Sequence, residues 1–291
     1  MSIRRAPLQD ILERCDRLAI DSGRLRPGQP QLAAFDADGT LWKTDVGDLL
    51  WERLLAERAL DRRAIAPIAR TLRACGVEPS RDPYVDFPRL QELHRSGLCS
   101  EDLLARVMLQ GLAGLREEDV YVQALKAMGT CEALSNAATG EASSLLDHLR
   151  RLGFQVVVVS ASPRWAVEVA AQPLGISPDE VLAGQVAVVN GVLSDGVLDP
   201  LPHGRGKIQA LLRRYGRVPV VAAGNGLGDL PMLEGASHLR FLFNPTEELV
   251  KAADEIRSVT WSMAGGNPAS RSLGLGVNDT GRIRKQPRAR H

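Results

Sequence analysis

Cysteine is scarce in this chain and never paired. Only Cys15, Cys75, Cys99 and Cys131 occur, at irregular spacings and with no CxxC. That excludes a disulfide framework or a cysteine zinc site, and predicts reduced thiols in a cytoplasmic protein. No sign of charge dominates: 36 Lys+Arg face 35 Asp+Glu, a net charge of +1. The balance gives no reason to expect a nucleic-acid or anionic-membrane partner. No uncharged apolar run is long enough for a membrane span. The opening stretch MSIRRAPLQDILERCDRL carries charge throughout and has no secretory apolar segment. The five histidines are scattered and no HExxH occurs. GNGLGD, late in the chain, has the wrong glycine spacing for a dinucleotide loop.

What the chain does have is ample apolar content, 44% of 291 residues, enough for one large domain or two modest ones. Leu8, Ile11, Leu12, Cys15, Leu18 and Ala19 recur at helical spacing. QLAAFD then reads as a buried strand ending in carboxylates. From Asp45 to Leu134 the period is helical almost throughout, broken by the loop EPSRDPYVDFP. Strands and helices alternate afterwards. FQVVVVS is a β-branched strand. SPRWAVEVAA follows, with Ser162 as N-cap and Pro163 in the first helical position. Asn190-Gly191 sits between apolar runs as a hairpin turn. KIQALLRRYG, VPVVAAG, LGDLPMLEGA, HLRFLFN and NPTEELVKAAD complete the alternation.

The expected fold is therefore α/β: a Rossmann-like, mostly parallel sheet with helices on both faces, plus an inserted all-α domain. The predicted division is 1–44 with 135–260 as the α/β core, 45–134 as the helical insert, and 261–291 as a disordered basic tail. The tail clusters Arg282, Arg284, Lys285, Arg288 and Arg290 without an apolar period. A weak anion-binding arm is the alternative for it.

Ligands in such sheets bind beyond the C-terminal ends of the strands, and the polar residues gather there. Asp36-Ala37-Asp38-Gly39-Thr40 ends the first strand and Ser160 ends the next. Lys207 opens a helix, and Gly224-Asn225-Gly226-Leu227-Gly228-Asp229 follows a later strand. A carboxylate can attack phosphorus directly. A second carboxyl can give the leaving alkoxide its proton and later activate water. Asp36 and Asp38 have this complement, with Gly39 allowing a tight turn and Thr40 holding it. A hard cation would offset the repulsion between carboxylate and phosphate. Magnesium suits Asp36, a backbone carbonyl in the turn such as that of Asp38, and an oxygen of Asn225 or Asp229. Ser160 and neighbouring backbone N–H groups, Ala161 included, can hold phosphate oxygens, and Lys207 can supply a compact cation.

FDADGTLW resembles the first motif, DxDGT, of haloacid dehalogenase superfamily phosphatases. VVVVS resembles their second motif, Lys207 in HGRGKIQAL their third and GNGLGDLPML their fourth. The likeness spans about residues 31–255, the helical insert resembles the superfamily's first-type cap, and the overall cast is similar to the phosphoserine phosphatase-like branch. The resemblance implies Asp36 as nucleophile, Asp38 as general acid/base, Ser160 on phosphate, Lys207 stabilising the intermediate, and Asn225 and Asp229 at the magnesium. Asp38 separates the phosphatases from the dehalogenases, whose halide needs no proton. The fourth motif usually opens Gly-Asp, whereas here it is Gly224-Asn225, an uncharged ligand and a weaker metal site.

Asp45 falls where phosphoserine phosphatases carry a Glu that meets a substrate amine, so an amine-bearing substrate such as phosphoserine is expected. Arg164 could meet a substrate carboxylate. Trp42, Trp51 and Trp165 either line the pocket for a cationic head group or pack helix on sheet, the commoner fate of tryptophan. His203 reads as a loop residue. The expectation is a monomeric or homodimeric cytoplasmic phosphatase acting on a small phosphorylated metabolite. The alternatives are a phosphotransferase with the same phospho-Asp and a non-catalytic phosphate-ligand-binding protein.

Overall fold

The computed structural model describes residues 4–22, 29–129, 131, 134, 140–253 and 260–263. Seven strands form one sheet in the order β1-β9-β8-β7-β2-β3-β4. They are β1 (Arg4–Ala6), β2 (Leu32–Phe35), β3 (Gln155–Pro163), β4 (Val181–Gly184), β7 (Val221–Gly224), β8 (Leu239–Leu242) and β9 (Thr260–Met263). Every pairing in it is parallel. Strands β5 (Val186–Val189) and β6 (Val192–Val197) make a separate antiparallel hairpin. Its turn places Asn190 and Gly191 at φ +52° and +75°, the left-handed pair that a two-residue hairpin requires.

The sheet is buried on both faces, and the apolar alternation of each strand shows it. Ala33, Phe35, Val156, Val158, Val221 and Ala223 face one cluster with Ile11 and Cys15 of α1 (Leu8–Ser22), Leu145 and Leu149 of α7 (Glu141–Arg151), and Trp165 of α8 (Arg164–Ala171). Leu32, Ala34, Val157, Val159 and Ala222 face the other. Their partners there are Leu211 of α9 (Arg205–Tyr215), Met232 of α10 (Leu230–Gly235) and Leu249 of α11 (Glu247–Ala253). Period two within the strands and helices above and below give the Rossmann-like α/β architecture. No described helix is long and apolar enough to cross a membrane.

Between β2 and α7 the described residues form five α-helices: α2 (Val46–Ala56), α3 (Ile65–Ala74), α4 (Pro83–Arg95), α5 (Glu101–Gln110) and α6 (Glu117–Gly129). They have a core of their own around Trp51, Ile68, Leu72, Phe87, Leu90 and Val107. Trp51 stacks on Phe87 at 3.7 Å between ring centroids and 11° between planes. The insert does not stand apart from the sheet, because Leu50, Leu54, Leu109, Val120 and Ala124 join the cluster that contains Trp165.

Three local expectations need correction. The loop EPSRDPYVDFP ends earlier than expected: α4 begins at Pro83 because Asp82 accepts from Tyr84 N (2.9 Å) and Pro83 takes the first turn. Pro88 then lies inside the helix. Ser162 caps nothing. Strand β3 runs on through Pro163, and α8 opens without a side-chain cap. Lastly, residues 261–263, assigned to the tail, form β9 with Thr260 and pair in parallel with both β8 and β1. The rest of the predicted tail, 264–291, and the boundary residues 135–139 lie outside the described residues.

Candidate active site

Strand β2 is central, with β7 on one side and β3 on the other, so the three polar strand ends converge. Asp36 follows β2 and its backbone N donates to Ala223 O of β7 (2.9 Å). The chain then turns sharply. Thr40 N and Leu41 N both donate to Ala37 O, and Gly39 N to Trp42 O (2.7 Å). Gly39 has φ +80°, and a Cβ there would fall 1.9 Å from Asn225 Nδ2. Glycine is thus required twice, by backbone conformation and by the close approach of the Asn225 amide.

The Asp36 carboxylate is held at both oxygens. Lys207 Nζ donates to Oδ1 (2.6 Å) and Thr40 Oγ1 to Oδ2 (2.8 Å). Lys207 is buried and also donates to Asp229 Oδ1 (2.6 Å) and Val159 O (2.9 Å). The other Asp229 oxygen accepts from Asn225 N (2.8 Å) and Gly226 N (3.0 Å). Burial and the Asp229 charge push the Asp36 pKa from 3.8 up to about 7, against the pull of Lys207. Burial works against the Lys207 ammonium, but Asp229 and Asp36 overcome it and raise its pKa, so lysine stays charged.

Asp38 is fixed by a different set. Trp42 Nε1 (2.7 Å) and Val46 N (3.0 Å) donate to Oδ1, and Ser162 Oγ (2.7 Å) and Ser160 Oγ (3.4 Å) to Oδ2. Burial raises its pKa and these donors offset that only in part, leaving a net upward shift. A cation and a hydroxyl thus hold one carboxyl and neutral donors the other, while the Lys207 charge also lowers the Asp38 pKa and the Asp38 charge raises that of Asp36.

Both open into one cavity of about 300 Å³, lined also by Asp45, Ser160, Ala161, Lys207, Asn225 and Asp229. The cap contributes Asp48, His94, Glu101 and Met108 to the wall. Asp45 has two roles. It N-caps α2 through Asp48 N (2.9 Å), and its carboxyl faces the cavity. Surrounding protein, then the charges of Asp38 and Asp48, raise its pKa well above 3.8. Thr40 does not line the cavity; its contact is with Asp36. Arg164 is a correction. It pairs with Glu168 one turn on in α8 (2.9 Å) and is not part of the wall.

The tryptophans also stay out of the cavity. Trp42 holds Asp38, Trp51 donates to Met108 O (3.1 Å) and Trp165 to Glu117 (3.2 Å). Their packing role prevails over the cation–π role. Ser162, Asp48, His94 and Glu101 were not anticipated. Ser162 had a signal: it is two residues beyond Ser160, so in a strand both point to one face. His203 does reach the wall.

The oxygen donors suit a hard cation: carboxylates of Asp36 and Asp229, the Asn225 amide, and the Asp38 carbonyl in the turn. The snug approach of Asn225 to Gly39 keeps that amide at the turn. Among the described residues no group of three His, Cys, Asp or Glu converges as a metal site.

The family model of haloacid dehalogenase-like hydrolases matches residues 33–234. The chain belongs to this hydrolase family. Among solved structures, the family member is similar to a protein of unknown function from Bordetella pertussis Tohama I. Identity is 19%, the TM-score is 0.60, and 80% of this chain and 98% of that one are covered. It is also similar to a functionally unknown protein from Anaerococcus prevotii DSM 20548, with 16% identity, TM-score 0.61, and 89% and 92% coverage. A phospho-aspartyl intermediate analogue of phosphoserine phosphatase matches at 19% identity and TM-score 0.48, over 80% and 93%. At these identities the first two likenesses speak for the fold alone. None of the curated protein sequences matches the chain.

Proposed function

We propose that this hydrolase is a magnesium-dependent phosphatase that cleaves a small phosphate monoester through a phospho-enzyme on Asp36. The observation that carries the proposal is the Asp36 carboxylate, buried at a strand end and clamped by Lys207 and Thr40 beside a second, independently held carboxyl. An Asp36 oxygen attacks phosphorus, the P–O ester bond breaks, and the alkoxide takes a proton from Asp38. Asp38, now ionised, removes a proton from water as that water attacks the acyl phosphate. Inorganic phosphate leaves, Asp36 is free and Asp38 holds its proton again. Ser160 and the backbone at Ala161 would hold the phosphate oxygens, and Lys207 would meet the charge that develops on Asp36. When bound by Asp36, Asp229, Asn225 and the Asp38 carbonyl, magnesium would screen the negative charge of the carboxylate and the phosphate from each other.

The same wall favours an amine-bearing leaving group. Asp45 and Asp48 stand beyond Asp38, and no arginine is among the described residues of the cavity. A substrate carboxylate would thus lack a guanidinium, which favours simple amino-alcohol phosphates over phosphoserine. The decisive test is phosphate release with magnesium from phosphoethanolamine, phosphocholine, phosphoserine, histidinol phosphate and a set of sugar phosphates. Activity on the first two is expected to lead. Activity confined to sugar phosphates sinks the amine assignment, and no release from any ester sinks the phosphatase.

A further inference from the structure

Next to the carboxylate cavity lies a wider cleft of about 610 Å³, opposite in character. It forms where cap helix α5 meets residues 199–203 and the outer face of α9. His203 lines both spaces, so they adjoin. Arg106, Arg205 and Arg213 face the cleft together with Gln209, Asp102 and Asp199.

Arg106 bridges both carboxylates, at 3.1 Å to Asp102 and 3.1 Å to Asp199, and with Arg205 and Arg213 the charged side chains of the cleft carry a net positive charge. Arg205 and Arg213 themselves pair with no carboxylate among the described residues. Arg213 donates to the backbone oxygen of Asp199 (2.6 Å), which neutralises nothing. Arg205, Gln209 and Arg213 are spaced i, i+4, i+8, so they share one helix face. Here Arg205, Arg213 and the Gln209 amide, all exposed to solvent, line an open cleft whose volume falls in the range of small-ligand sites. Guanidinium forks fit tetrahedral oxyanions bidentately.

We propose that this cleft is an oxyanion site that takes a phosphate group, separate from the phosphate position over Asp36. The group is either a remote phosphate on the substrate or a free phosphate-type anion.

The two phosphate positions respond oppositely to divalent cation. Six carboxylates line the cavity over Asp36, so without a cation it repels phosphate, whereas the arginine cleft needs none. Titration calorimetry of the full chain with inorganic phosphate, in EDTA at low ionic strength, should show binding. Arg205→Ala/Arg213→Ala should weaken it by about tenfold or more, as expected for lost charged hydrogen bonds. No binding by the wild type, or equal binding by the double variant, overturns the proposal. If the double variant melts early, Arg205→Ala alone decides, since Arg205 has no described partner to lose. Because the readout is binding, it stands even if no ester is turned over. Given binding, p-nitrophenyl phosphate separates the sources. Sulfate competes with the ester at the phosphate position over Asp36 in both proteins, so a free-anion site shows as an additional sulfate effect present in the wild type and absent from the variant. A substrate subsite gives the same sulfate response in both and raises the KM of a bisphosphorylated substrate in the variant.

Discussion

Replacing Lys207 by methionine removes the one ammonium between two buried carboxylates and should reveal how the site is held. At 2.6 Å and an effective dielectric near 20, each contact has a Coulomb energy of about 6 kcal/mol before desolvation is counted. Desolvation consumes much of that, and breaking a buried pair typically costs about 3–5 kcal/mol. The pH dependence is the sharper signature. Below about pH 7 Asp36 holds its own proton in the native protein, so the variant chiefly leaves Asp229 without its partner. Above it the native Asp36 is ionised and lysine-paired, while the variant must keep it protonated. The penalty then grows by about 1.4 kcal/mol per pH unit. Urea unfolding in EDTA should therefore show a loss of about 3–5 kcal/mol at pH 6 and about 1.4 kcal/mol more at pH 8. A loss that is flat in pH, or that shrinks on going to pH 8, refutes the idea that lysine carries the Asp36 charge. So does a total loss under about 1 kcal/mol, the size of an exposed pair.

Three further outcomes follow from the same geometry. Asp38→Asn should cut phosphate release by about 10²–10⁴-fold while circular dichroism and melting stay close to native, since asparagine can still accept from Trp42 and Val46; normal turnover would end its acid/base role. Asn225→Asp should leave the apparent magnesium affinity equal or tighter in a metal titration of activity, and a clear weakening would contradict ligation there. Asp86 in the cap accepts from Ser80 N (2.9 Å), Arg81 N (3.0 Å) and Arg89 (3.2 Å), and although burial opposes ionisation these donors lower its pKa. Its contribution is therefore present above about pH 4 and lost as pH falls through the lowered value, so Asp86→Asn should cost about 1–3 kcal/mol at pH 7 and less near pH 3 in urea unfolding.

Much of the architecture was legible because periodicity and strand ends speak directly. Val156–Val159 could only be a strand buried on both faces, and DADGT could only follow one. Other features depend on partners distant in sequence. Strands β1 and β9 have three and four residues, too short for a period, and β1 gains its partner only in β9, far along the chain. Arg164 reads as available in the sequence, and Glu168 four residues on takes it up in the fold. Ser162 reads as an N-cap because Ser-Pro also suits a helix start, whereas the continuation of β3 past Ser160 comes from the pairing of Pro163 with Gly184 of β4. The acidic cap wall of Asp48 and Glu101 could not be seen, since each lies in an ordinary first helical turn where acidic residues are favoured anyway.

The charge balance of the cavity makes sense of Asn225. Six carboxylates face it against Lys207, whose charge is already shared by Asp36 and Asp229. A phosphate dianion approaching this wall meets net repulsion; burial first, and the neighbouring carboxylates second, already raise the Asp36 and Asp45 pKa values. An aspartate at 225 would add a seventh negative group pressed against the turn at Gly39. Asparagine keeps an oxygen at the same point without that charge. On the proposed phosphatase reading, it would give up cation affinity and spare an entering phosphate an additional repulsion.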